Sequence, residues 1–210
     1  WAPGEQCMTD DDEPAGTFYS ADRWQNWLTR VGEEDLDPES ADFARLYFNL
    51  QNDTTIAIAK IITAAEDGHL AEEEALDKLG FINDIVLAEP EFDAENKLLL
   101  IDSVQTSLIP VFYATEEYLL DGAVEEQPLD DNITDAVAAA ADEDEDTALA
   151  YLVQAGTQII DGTEFDGSDI EELDSWLVSQ WPKGPDRLQA ASAAAPSPPE
   201  DPTAARAFPP

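Results

Sequence analysis

The sequence predicts an all-α fold, a single bundle of about five to seven helices, on three observations. Apolar residues recur at three- and four-residue intervals between capping residues over most of residues 18–182. Strand signals are scarce, since no Asn-Gly or Asp-Gly pair lies between alternating apolar runs. The Asp-Gly pairs at 67–68, 121–122, 161–162 and 166–167 all fall at or between expected helix ends, where glycine readily takes the left-handed conformation.

The first helix opens at Ser20, whose hydroxyl caps a stretch with Trp24, Trp27, Leu28 and Val31 on one face. Asp37-Pro38 then offers a capping acceptor followed by a proline suited to the first helical position. Behind it, Phe43, Leu46, Tyr47, Leu50, Ala57, Ile58, Ile61, Ile62 and Ala65 keep helical spacing up to a stop at Gly68. Leu70, Ala75, Leu76, Leu79, Ile82 and Val86 predict a third segment running towards Pro90, with a break at Gly80. Asp93 is placed to cap a fourth helix that carries Leu98 to Ile101, Val104, Leu108, Ile109, Phe112 and Tyr113, so apolar that it belongs at the centre. Pro110 inside it predicts a kink, because proline removes a backbone hydrogen bond and clashes with the preceding turn. Ile133 to Ala141 and Ala148 to Ile160 predict two further helices, the second ended by Gly162. A last helix opens at Ser168 with Glu171 three residues on, a capping box, and presents Ile170, Leu173, Leu177 and Trp181 before Pro182. A chain segment of this size buries a single apolar core.

The two ends differ from the helical body. Residues 1–17 carry no helical pattern and are expected to be disordered. Met8 is the only methionine, so residues 1–7 read as a non-native remnant, and the sole cysteine, Cys7, falls within it. No thiol is then left for a disulfide, a nucleophile or a zinc site. Residues 183–210 are rich in Ala, Pro and Ser, and Pro196, Pro198, Pro199, Pro202, Pro209 and Pro210 predict a disordered, polyproline-like tail.

Charge says more about surroundings than about chemistry. Asp and Glu number 48 against 9 Lys and Arg, a formal net charge of -39. Unscreened, such a coat repels itself and opposes the compact state. At roughly 1 M salt the Debye length falls to about 3 Å and the repulsion largely disappears, so the sequence predicts a halophilic protein stabilised by concentrated K+. The acidic residues are spread through amphipathic stretches, and 43% of the chain is hydrophobic, which fits a folded domain better than an acidic disordered segment. Mimicry of a nucleic acid towards a basic partner is the other reading of such a charge. Binding to nucleic acid or to an anionic membrane surface is excluded for want of a basic stripe. The most apolar stretch, Leu98 to Ala114, is shorter than a membrane span needs and no signal segment opens the chain, so a soluble, cytoplasmic protein is expected. The sequons at Asn52 and Asn132 then carry no meaning.

No constellation for catalysis, a cofactor or a resident metal stands out. Asp67-Gly68-His69-Leu70 with Glu74 resembles the second half of a calcium loop, but Thr63 and Ala65 stand where two oxygen ligands belong. Glu66 and His69 have the spacing of a di-metal helix motif, yet His69 is the only histidine. Glu116 and Glu117 read as solvated acids. More telling are polar belts inside otherwise apolar helices: Gln51, Asn52, Thr54 and Thr55; Ser103, Gln105, Thr106 and Ser107; Gln154, Thr157 and Gln158. If they face inward they must bond to one another or to a ligand, since an unpaired buried polar group costs about 1–3 kcal/mol. Gln51, Thr54, Gln105, Thr106, Gln154 and Thr157 are the candidate ligand-binding residues, and a structural layer that fixes helix register is the competing reading.

Arg23-Trp24-Gln25-Asn26-Trp27, Asp35-Leu36-Asp37-Pro38, Asn49 to Thr54, Val104 to Leu108 with Phe112-Tyr113-Ala114, and Gln154 to Gly162 resemble the archaeal family called domain of unknown function 2150, over roughly residues 18–181. The resemblance implies an archaeal, cytosolic setting, with haloarchaea as a plausible source, and supplies no functional residues. A non-enzymatic protein acting through contacts with a protein partner or as a homo-oligomer is the favoured expectation, with an exposed apolar patch involving Trp24, Trp27, Trp176 or Trp181. A bundle that binds a small molecule or cation through its polar belts is the alternative. An enzyme would have to rest on carboxylates alone, and no pair among the 48 stands apart.

Dialysis from molar KCl into dilute buffer without divalent ions is expected to lower the melting temperature and the helical circular dichroism signal. Unchanged melting between the two would remove the need for salt.

Overall fold

The computed structural model describes residues 18–164, and the helix expected over 168–181 and the tail from 183 lie outside them. Six helices follow in order: α1 (Ala21–Glu33), α2 (Ala41–Glu66), α3 (Glu72–Val86), α4 (Glu95–Asp121), α5 (Leu129–Ala141) and α6 (Glu145–Ile160). No strand occurs among the described residues, so the fold there is all-α.

Helix ends show which local signals act. The Ser20 hydroxyl accepts from Arg23 N at 3.2 Å and starts α1 as expected. α2 begins one turn later than Asp37-Pro38 suggests. Asp37 instead closes a tight turn, accepting from Glu39 N at 3.0 Å, and Ser40 is the cap, accepting from Phe43 N at 3.1 Å. Two polar acceptors compete there, and the one nearer the apolar run wins. At the other end Gly68, with φ +72°, reverses the chain and lets His69 N reach Ala64 O at 2.8 Å. α3 runs unbroken through Gly80, which is exposed, so the glycine lowers propensity without a tertiary reason to break the helix. α4 starts at Glu95 with no side-chain cap, and Asp93 stands outside it.

The acidic run Asp142 to Asp146 forms the sharp link between α5 and α6. Glu143 takes φ 60°, Asp144 accepts from Thr147 N at 3.2 Å, and Glu145 and Asp146 occupy the first turn of α6, where the helix dipole favours negative charge.

α4 is the central element, in contact with α2, α3 and α6, while α5 packs on α6 and α1 on α3. It remains helical through the buried Pro110 for 27 residues. By length and composition it could cross a membrane, more than the Leu98 to Ala114 stretch suggested, yet most of it is buried inside the bundle.

The buried apolar residues fall into two clusters within the bundle, with Ile160 of α6 packed against the larger. One cluster of buried apolar residues, with Leu46, Leu50, Ile58, Ile61, Leu79, Ile82, Leu100, Val104 and Leu108, joins α1 to α4. A smaller one, Leu129, Ile133, Ala136, Leu152, Ala155 and Ile159, lies between α5 and α6. Buried residues of α4 and α6 outside both clusters include Ala114, Thr115, Ala148, Gly156 and Thr157, which are small or polar and interrupt the apolar continuity.

Ile58→Ala in the larger core is expected to lower stability in molar KCl by about 2–5 kcal/mol in denaturant unfolding. Leu152→Ala is expected to speed hydrogen exchange in α5 and α6 before α2, and equal acceleration in all six helices would show the two clusters to be one cooperative unit.

Candidate functional site

The polar belts do turn partly inward. Gln51, Thr54 and Thr55 on α2 are fully buried, while Asn52 is exposed. Gln51 Nε2 donates to Ser107 Oγ at 3.1 Å, and the Ser107 hydroxyl donates in turn to Val104 O at 2.7 Å. This buried relay ties α2 to α4 one turn before Pro110, where the α4 ladder lacks a donor. Thr54 and Thr55 bond back to their own helix, at Leu50 O and Gln51 O.

Gln105 points elsewhere. Its amide donates to Val86 O and Ala88 O, both at 2.9 Å, and holds the chain leaving α3. Gln158 repeats the device on the link between α4 and α5, donating to Val124 O at 2.7 Å and Gln127 O at 2.8 Å. Thr157 accepts from Val124 N at 3.0 Å in the same place. Thr106 is half-buried, and Gln154 borders a groove between α4 and α6. The first two belts thus meet at Gln51 and Ser107, Gln105 and Thr157 serve different loops, and none of the three grooves described below gathers all three belts.

A second polar knot joins α1 to α2. Asp53 accepts from Arg23 Nε at 2.8 Å, from the other Arg23 nitrogen Nη2, and from Trp27 Nε1 at 2.8 Å. Burial alone would push the Asp53 carboxyl up, but the hydrogen bonds from Arg23 and Trp27 and the Arg23 charge outweigh it and hold the group below its ordinary value. The buried Tyr19 hydroxyl faces Asp53 and Thr54 without a well-aligned hydrogen bond, and burial followed by the Asp53 charge pushes its pKa up. Arg23 also lies 5.7 Å from the Tyr19 ring centre. Asp53 was not singled out from sequence, where one aspartate among 48 acids carries no mark. At the far end of α2, Tyr118 donates to Glu66 Oε1 at 2.7 Å, and burial followed by that carboxylate raises the phenol.

Among the described residues no group of three or more His, Cys, Asp or Glu is placed to hold a metal ion. Glu74 accepts from Ala71 N at 3.0 Å, so it serves the start of α3. Open grooves line the surface of the described residues, three of them as follows. One of about 520 Å³ lies between α1 and the chain beyond α3, with Trp24, Leu28, Ile85 and Phe92. Another, about 550 Å³, has an acidic wall with Glu125, Glu126, Asp130, Asp161 and Glu164. The third, about 620 Å³, runs between α4 and α6, with Tyr113, Leu120, Leu149 and Val153 at its apolar surface and Glu116, Glu117, Glu126 and Asp146 around them.

The two described tryptophans of the expected patch are not exposed. Trp24 is buried and Trp27 half-buried with its N–H bound to Asp53, while Trp176 and Trp181 lie outside the described residues. Among the described residues four large apolar residues are exposed instead, and all belong to α4: Leu98 at 37%, Leu99 at 46%, Tyr113 at 52% and Leu120 at 46%.

The family described as an uncharacterised protein conserved in archaea, domain of unknown function 2150, matches residues 17–201. The chain belongs to this family. The match takes in all six helices and continues past them. No curated protein and no solved structure matches the chain. Family membership therefore brings an archaeal setting and no activity.

Asp53 has a depressed pKa in the folded state, so its contribution is complete above the ordinary value of 3.8 and is lost as pH falls through the lower folded value. The stability gap between the natural chain and Asp53→Asn, measured in molar KCl, is expected to be constant from about pH 7 to 5 and to shrink towards about pH 2. A gap that stays constant or widens on acidification would show that the Arg23 and Trp27 contacts do not favour the ionised form.

Proposed function

We propose that this protein is a non-enzymatic helical protein of a salt-rich archaeal cytosol that acts by docking protein on the open face of α4. One observation carries this: the four large exposed apolar residues of the described chain share one helix. Leu99, Tyr113 and Leu120 lie at multiples of seven residues and so fall on one side of α4. An apolar strip rimmed by carboxylates has the make-up of an interaction surface. The grooves support the same view. The groove between α4 and α6 is open and rimmed by carboxylates, and the polar belts reach backbone and one another, which favours the role of internal fastening over that of a ligand cavity.

A photo-activated cross-linker at position 113, expressed in a halophilic archaeal host, is expected to give a discrete adduct with a second copy or with another protein. The same group at the exposed Glu73 serves as control. No adduct from position 113, or equal labelling from both, would remove α4 as the docking face.

A further inference from the structure

The chain leaves the described residues at Glu164, beside the groove between α4 and α6. Thr163 and Glu164 line the acidic groove together with Glu126, and Glu126 is also a wall of the groove that holds Tyr113, Leu120, Leu149 and Val153. Thr163 N donates to Gln158 O at 2.9 Å, and Gln158 Nε2 donates to Val124 O at 2.7 Å. These bonds pin the exit to the end of α4 at which Leu120 stands.

The sequence that follows suits that groove. The helix expected to open at Ser168 places Ile170, Leu173, Leu177 and Trp181 within about 80° of its circumference, at about 100° per residue. Glu171, Glu172, Ser175 and Ser179 fall on the other side. So narrow a stripe matches one groove and not the middle of a bundle. The family match over residues 17–201 takes in this segment with the six helices, so segment and groove belong to one family unit.

We propose that residues 168–181 lie as a helix in the α4–α6 groove, antiparallel to α4, and cover Tyr113 and Leu120 until a docking protein displaces them. The assignment rests on the docking role of α4 given above and adds its regulation. Lengths set the direction and the extent. Residues 165–167 span at most about 11 Å, enough to pass Glu126, whereas Leu99 stands about 31 Å from Leu120 along α4. The helix therefore starts beside Leu120 and runs back along α4. Residues 168–181 are about 21 Å long as a helix, so the cover ends beside Thr106 and leaves Leu98 and Leu99 open. Ile170 then lies against Leu120, and Leu177 against Tyr113.

A free partner needs roughly 800 Å² on each side for a standard interface, more than this groove offers. A tethered segment does not, because its short link holds it at an effective concentration of about millimolar whatever the protein concentration. The segment brings its own acids to a groove rimmed by Glu116, Glu117, Glu126 and Asp146, so the contact tightens as salt screens them.

The full chain carrying Cys7→Ser, in KCl from about 1 to 3 M, tests the cover. Leu120→Cys should react with a maleimide about tenfold more slowly than Glu73→Cys, and Leu99→Cys about as fast as Glu73→Cys. Shielding of Leu120→Cys should deepen as KCl rises. Leu173→Asp together with Leu177→Asp should bring Leu120→Cys to within about twofold of Glu73→Cys, and should raise the adduct yield from position 113. Leu120→Cys paired with Ile170→Cys should close a disulfide within one chain about tenfold faster than Leu120→Cys paired with Trp181→Cys, a readout that does not depend on the aspartates. Each of the following overturns the assignment: Leu120→Cys as reactive as Glu73→Cys beside the natural segment; shielding that persists with both aspartates, which means another part covers the groove; shielding that fades on dilution from about 100 to 1 µM, which means a second copy does; shielding that weakens with salt; or equal closure of the two cysteine pairs. Shielding is read with no partner present, so it fails separately from docking. If Leu120→Cys is open while position 113 still gives a specific adduct, docking on α4 stands and only the internal cover is lost. If the cover is found but position 113 gives no adduct even with both aspartates, the segment is a fixed part of the fold, and docking and the displacement proposed here are both lost.

Discussion

α4 has to satisfy α2, α3 and α6 at once, and this constraint organises the rest of the molecule. A helix touched on three sides needs apolar residues around most of its girth, which is why its sequence shows no clean polar face. The remaining side then inherits leucines and a tyrosine that face solvent. The apolar content that makes α4 central and the open strip along it are therefore two results of one pattern. The same content gives it the length and composition of a membrane span while most of it stays inside the bundle.

Much of the helical layout was legible because it depends on local signals. Ser20, Gly68 and Gly162 mark helix boundaries in both sequence and structure, since caps and left-handed glycines act within one turn. Asp37-Pro38, Gly80 and Asp93 misled for the opposite reason. Each is a sound local signal overruled by a stronger neighbour or by packing, as when Ser40 takes the cap that Asp37 offers. The division into two cores was not legible, because spacing shows which residues turn inward but not which helix they meet. The open α4 face was hidden likewise: Leu99 and Leu100 look alike in sequence, yet one is about half exposed and the other fully buried.

The segments on which the family resemblance rests are held by polar contacts, some to one another and some to the chain between them. Arg23 and Trp27 of one segment close on Asp53 of another, Asn96 donates to the carbonyl of Leu36, and Gln105 and Gln158 each hold two loop carbonyls. Buried carbonyls without donors are costly, and a glutamine amide satisfies two with one side chain. Such residues fix the order and spacing of the helices, where apolar contacts alone would tolerate sliding. A polar belt within an apolar helix is thus explained by the loops it fastens before any ligand is invoked.

The acidic coat and the apolar strip answer to different forces, and concentrated electrolyte separates them. Screening shortens the reach of each carboxylate to about the size of an ion, so charge no longer selects partners at a distance. Burial of apolar surface needs no such reach and survives the screening. On the proposed reading of a salt-rich setting, recognition would fall to the few places where apolar groups are grouped, and on the described chain the large exposed ones are Leu98, Leu99, Tyr113 and Leu120. Dilution would then return the long-range repulsion both within the fold and across the proposed contact at α4, so that one variable would act on stability and on docking alike.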